Sequence, residues 1–206
     1  MIRSIFLTLP LFLAACGDAG TSGGIASSGQ QETCFSRGEY GWGGPISLIN
    51  QDGERVTEED FKGRPTVMFF GFTECPDACP IIMQKIIYAL EDLPEGMERP
   101  RTMIISFDPE RDTPERLQNY ISNEFFPEDM VGLTGTDDEI QAAADEFQAK
   151  YFRRDQEESA IGYTFDHSTA IYFLDENWEV KTFFLATENP KDMAVCMQNF
   201  LGSTGS

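Results

Sequence analysis

Apolar positions in this chain come in two kinds of run, and their order predicts the layout. Residues 46–49 and 54–57 flank Asn50-Gln51-Asp52-Gly53, a hairpin with Asp-Gly in its turn. Residues 66–72 are apolar almost without a break, as expected of a central strand covered on both faces. Ile81, Ile82, Ile86, Ala89 and Leu90 then follow helical spacing up to Pro94. Residues 102–107 read as a second strand. Thr113-Pro114 opens a helix toward Tyr120, and Thr136 with Glu139 forms a capping box for another, running to about Lys150. Residues 170–174 and 179–185 are strands around a turn at 175–177, and Asn189-Pro190 starts a last helix. Strands alternate with helices and a hairpin closes the order, which predicts an α/β fold with a central sheet flanked by helices.

The ends differ from this middle. Arg3 followed by apolar residues 5–13 has the form of a targeting signal too short to span a bilayer. Leu13-Ala14-Ala15-Cys16 then matches a bacterial lipobox, so residues 1–15 are expected to be removed and Cys16 lipidated. Residues 16–33, rich in Gly and Ser, are expected to be a flexible tether, and 34–206 one domain. Such a chain would sit on the periplasmic side of a bacterial envelope, held by lipid to the inner membrane. The domain is expected to be monomeric.

Fifteen basic against thirty-five acidic residues give a net charge of −20. Nucleic acid is thereby a poor partner, because phosphate binding needs the opposite sign.

Five cysteines need roles. Cys16 is the anchor candidate. Cys34 and Cys196 flank the domain, and outside the cytoplasm they are either a disulfide or two unrelated thiols. Cys75 and Cys79 stand in Phe69-Phe-Gly-Phe-Thr-Glu-Cys-Pro-Asp-Ala-Cys-Pro80, where the apolar run ends. Each precedes a proline, and a residue before proline avoids the α region, so Cys79 is expected to cap a helix opening at Pro80. Free N–H groups at that helix start favour thiolate, the form that attacks disulfides and binds metal. The single histidine, His167, lies in Asp166-His167-Ser168 before a strand. Two thiols and an imidazole make a soft metal site if the fold unites them, and a redox dithiol if only the thiols act. Asp77 and Asp166 either order such ligands from outside or are solvated turn residues. The eight methionines are scattered, which suits core packing.

The cysteine segment resembles the signature of the Sco/SenC family. Matches follow in order at Gly44-Pro45, Phe61-Lys62-Gly63, Asp108-Pro-Glu-Arg-Asp-Thr-Pro114, Gly132-Leu-Thr-Gly135 and Asp166-His167-Ser168, over about residues 43–200. The resemblance implies a thioredoxin-like fold with a mixed sheet, in which Cys75, Cys79 and His167 bind copper. It also implies a partner, the copper-carrying subunit of cytochrome c oxidase, whose assembly such proteins assist. The activity implied is copper delivery, the alternative being a thiol–disulfide oxidoreductase that reduces cysteines of that copper site through Cys75 and Cys79. This chain departs from the pattern at Glu74, where many relatives carry histidine, and in having Cys34 and Cys196. A thiol peroxidase on the same fold is the third reading, and it would need an arginine beside one thiol that the sequence does not identify.

Overall fold

The computed structural model describes residue 34 and residues 41–156 and 162–202. The expected signal (1–15), Cys16 and the tether (16–33) lie outside the described residues. None of the described helices is long and apolar enough to cross a membrane.

Seven strands form one sheet in the order β2-β1-β5-β4-β3-β8-β9. They are β1 (Ser47–Asn50), β2 (Arg55–Thr57), β3 (Thr66–Gly71), β4 (Arg101–Ser106), β5 (Val131–Thr134), β8 (Ala170–Leu174) and β9 (Val180–Leu185). β6 (Tyr151–Asp155) and β7 (Tyr163–His167) make a separate two-stranded ribbon. The helices are α1 (Ala78–Glu91), α2 (Pro114–Ile121), α3 (Asp137–Glu146) and α4 (Pro190–Gly202). β3, β4 and β5 run parallel; β8 runs antiparallel to β3, and β1 to β5, so the sheet is mixed as expected.

β3 is central, and every one of its residues is buried. Its side chains alternate between faces. Phe70 meets Tyr172 and Phe147 on one face, whereas Phe69 and Gly71 look toward α1. α1 packs on α4, α2 on β5, and α3 on β1. Thr113 caps α2, its hydroxyl accepting the Arg116 N–H, and the capping box of Thr136 and Glu139 opens α3.

Three expectations are corrected. α1 begins at Ala78 with Asp77 as its cap, so Cys79 is a residue of the first turn. Pro80 fits there because an N–H at the third helical position has no partner within the helix. α3 stops at Glu146, four residues early: Gln148 adopts a left-handed φ of 54°, which turns the chain into β6. β5 and the β6–β7 ribbon were not anticipated. β5 is four residues long with a glycine, and β6 exposes most of its side chains, so neither carries a strong apolar pattern.

Candidate metal centre

The site is built at the carboxyl end of β3. Past Gly71 the chain turns back, the Cys75 N–H donating to the Phe72 carbonyl at 3.2 Å. Cys75 ends in this turn and Cys79 in the opening turn of α1. Asp77, nominally the cap, makes no side-chain capping bond. The Cys75 sulfur takes that place instead, accepting the Cys79 N–H at 3.2 Å. Gly71 allows the close approach: a Cβ there would stand 2.7 Å from the Cys79 sulfur.

His167 comes from the other sheet, as the last residue of β7, paired with Tyr151. Ser168 fastens the ribbon's end, its N–H donating to the Lys150 carbonyl at 2.8 Å and its hydroxyl accepting the Lys150 N–H at 3.1 Å. His167 Nδ1 faces the Ser168 carbonyl at 2.8 Å, which assigns it the ring proton and leaves Nε2 toward the site. Nε2 lies 3.8 Å from the Cys75 sulfur. The ring leans on Phe107 and Phe72, with centroids 5.1 and 6.1 Å away.

The ligand atoms of Cys75, Cys79 and His167 all fall within 4.8 Å of one another, and no other such group occurs among the described residues. A three-coordinate ion with bonds of about 2.2 Å holds its donors about 3.8 Å apart, so the triangle fits one ion after small adjustments. Two sulfurs and one imidazole suit a soft, low-coordinate ion. A cavity of about 400 Å³, lined in part by Cys75, Asp77, Phe165 and His167, opens onto the group.

The two thiols are electrostatically unlike. Cys75 is drawn down to about 4, first by the hydrogen bond it accepts from the Cys79 thiol, against its burial, and further by His167. Cys79 is pushed strongly up, because its proton is held by Cys75 and because it is buried. One thiolate thus sits beside one thiol. Burial lowers the His167 pKa, but the hydrogen bonds with Cys75 and Ser168 outweigh it, and the net shift is upward.

Asp77 and Asp166 both line the cavity. Asp166 is ion-paired with Arg154, and among the described residues neither carboxylate hydrogen-bonds a ligand side chain. The group that orders His167 is the Ser168 carbonyl, which sequence reasoning missed because backbone oxygens leave no mark on sequence. Glu74 pairs with Arg116 at the surface. Met83 is buried in the core. Cys34 and Cys196 are joined as a disulfide across 162 positions, with Cα atoms 5.0 Å apart.

A parallel-centred sheet with a dithiol at the carboxyl end of a buried interior strand and an added histidine defines a thioredoxin-like metal- or thiol-handling domain. The SCO1/SenC family model matches residues 36–202, and the chain belongs to that family. It is 37% identical over 150 residues to the mitochondrial SCO1 homolog 1 of Arabidopsis thaliana, a match covering 72% of this chain and 44% of that protein. It is 34% identical over 157 residues to an SCO2-like protein of Rickettsia prowazekii, covering 76% of each. The crystal structure of Arabidopsis thaliana ScoI with copper bound aligns with a TM-score of 0.72 at 33% identity, over 78% of this chain and 98% of that one. Bradyrhizobium japonicum ScoI with copper bound gives 0.66 at 32%, over 77% and 99%. The expected thioredoxin-like fold is the fold these structures share with it.

Proposed function

We propose that this chain binds one copper ion through Cys75, Cys79 and His167 and delivers it to the copper-carrying subunit of cytochrome c oxidase during assembly. The observation that carries the reading is His167 Nε2 standing 3.8 Å from the Cys75 sulfur, with Nδ1 already engaged by Ser168. Disulfide exchange does not require an imidazole whose free nitrogen faces the sulfur, whereas a soft metal ion takes it as a third ligand. Two relatives of known structure at about this level of identity are described with copper bound, which supports copper as the ion. The copper is cargo: Cys75 offers a formed thiolate, Cys79 loses its proton on binding, and His167 donates through Nε2. Oxidase assembly is the work the family resemblance implies, and the partner follows from it.

The proposed location is the periplasmic face of a bacterial inner membrane. Residues 1–15 serve as the signal, Cys16 as the lipid anchor and 16–33 as the tether. That arrangement raises the domain's effective concentration near a membrane-bound partner.

A second reading, reduction of a partner disulfide, is favoured by one observation, the unequal thiols. The Cys75 thiolate would attack one sulfur of the partner and form a mixed disulfide. Cys79, giving up its proton, would then displace the partner's second thiolate, leaving Cys75 bonded to Cys79 and the partner reduced.

Copper-to-protein stoichiometry tests the first reading. The reduced domain is expected to hold one Cu(I), and Cys75→Ala or Cys79→Ala to hold none tightly. Copper binding by His167→Ala equal to the parent's in both oxidation states would refute the assigned ligand set.

A further inference from the structure

The motif Asp108-Pro-Glu-Arg-Asp112 touches neither sulfur nor imidazole, yet its side chains meet both halves of the site. We propose that loop 106–112 is a bracket that sets the distance between the dithiol turn and the His167 ribbon, with Asp112 the positioning residue for the cysteines and the Asp108–Tyr163 pair that for the histidine. The inference rests on the metal-binding reading of the three ligands, but its geometry is that of the metal-free protein.

On the cysteine side, Asp112 is fully buried. Its carboxylate accepts the Thr73 N–H at 2.9 Å, the Thr73 hydroxyl at 2.5 Å and the Ser106 hydroxyl at 2.5 Å. Thr73 stands two residues before Cys75, so the carboxylate pins the turn that presents Cys75 to the end of β4. A buried carboxylate is costly unless its oxygens are satisfied, and these three donors hold it in one place.

On the histidine side, the ribbon is not part of the main sheet, and the loop supplies its fastening. The Tyr163 hydroxyl donates to Asp108 Oδ1 at 2.7 Å, where both residues are buried. Arg111, ion-paired with Asp108, donates to the Tyr163 carbonyl at 3.1 Å and lies 3.8 Å from the Tyr163 ring centre. Arg153 of β6 lies 3.6 Å from the same ring and reaches Glu110 at 2.8 Å. Phe107 stacks on Tyr151, centroids 4.8 Å apart, and carries the His167 ring on its other contacts.

The loop is braced between its two grips. The Asp112 N–H donates to the Asp108 carbonyl at 2.8 Å, and the Asp108 N–H to the Ser106 hydroxyl at 3.1 Å. Ser106 therefore touches both Asp108 and Asp112 and fixes the spacing between the two grips, while each grip holds its own half of the site. Partners hydrogen-bonded directly to metal ligands change affinity about 10- to 100-fold when removed, and a bracket acting one residue further out is expected at the lower end of that range.

The test uses the lone histidine, whose imidazole signals need no assignment. In the reduced, metal-free domain, Tyr163→Phe should move the His167 Cε1–H resonance away from its ring-shifted position over Phe107, while the Cys75 and Cys79 signals stay. Asp112→Asn should do the reverse, and Thr73→Val, which keeps the backbone donor, should give a smaller change of the same kind. In competition with a Cu(I) chelator, Tyr163→Phe should weaken binding about tenfold in the parent and not at all in a His167→Ala background. The Asp112→Asn loss should persist in that background. Unmoved His167 signals in folded Tyr163→Phe would overturn the bracket, as would a Tyr163→Phe loss that survives removal of His167. Failure of the parent to bind Cu(I) would strike the proposed function alone, since the metal-free spectra read the bracket without copper.

Discussion

The sulfur of Cys75 accepts the backbone N–H of Cys79 at 3.2 Å, so a ligand side chain stands where the capping oxygen of α1 would normally be. The helix start thereby stabilises the charge that a metal or a disulfide would meet. The same contact explains why the thiols diverge: charge concentrates on Cys75, and Cys79 keeps the proton.

Cys75 should therefore be a thiolate throughout the neutral range. With its pKa near about 4, ionisation is complete above roughly pH 5, where an ordinary thiol at about 8.5 is still protonated. Alkylation of the reduced, metal-free domain by iodoacetamide should have a rate that is flat from about pH 6 to 8 and falls below about 5. Cys79→Ala should raise the midpoint most, because the Cys79 thiol is the largest stabiliser, and His167→Ala should raise it less. A rate that climbs about tenfold per pH unit through neutrality would contradict the assignment.

Gly71→Ala tests the packing under the site. Its new methyl would lie 2.7 Å from the Cys79 sulfur and 3.0 Å from the Phe69 ring, in a strand with no room to yield. Overpacking of this kind costs about 1–3 kcal/mol, and here the sulfur must also move. Urea unfolding should show that loss, and Cu(I) competition a weaker site. Parental affinity in a destabilised variant would mean that the close approach serves the core alone.

Much of this is legible in the sequence itself. The nearly unbroken apolar run at 66–72 pointed to the central strand, because a run that short without polar alternation fits a strand buried on both faces. Thr113-Pro114 and Thr136 with Glu139 marked two helix starts through chemistry local to a few residues. Cys75, Cys79 and His167 stood out because thiols and a lone imidazole are rare. What escaped was non-local. β6 and β7 gain their place from Phe107, Arg111 and Tyr163 contacts that no short window contains. The fastening roles of Ser168 and Asp112 depend on backbone groups and on a neighbour 39 positions away. The pre-proline rule misplaced the start of α1 because a helix's opening turn tolerates what its interior does not.

The Cys34–Cys196 bond closes most of the domain into one loop. With a separation of 162 residues, the chain-entropy model gives about 5 kcal/mol of stabilisation, less any native strain. Cys34→Ser with Cys196→Ala should lower the melting temperature markedly under non-reducing conditions, and the parent should fall to the same value in reductant. Copper stoichiometry should be unchanged below the new transition, because neither residue belongs to the metal group. Equal melting of parent and variant without reductant would show that the bond contributes nothing.

Delivery and reduction separate at His167 in the cell. Both need Cys75, Cys79 and access to the membrane partner, but only copper transfer needs an imidazole at the third corner of the site. A strain carrying His167→Ala at parental protein level should therefore lose oxidase activity when copper is scarce, and added copper should restore part of it. Cys75→Ser should lose activity under both supplies, since it removes the formed thiolate from either chemistry. Were the chain a reductase, His167→Ala would respire nearly normally, because the Cys79 hydrogen bond alone keeps Cys75 the more acidic thiol, and Cys75→Ser would respond to an external thiol reductant. The copper-dependent defect of His167→Ala is the expected result, measured as oxidase turnover in membranes across a copper titration. Normal assembly in copper-limited His167→Ala cells would move the assignment to thiol chemistry.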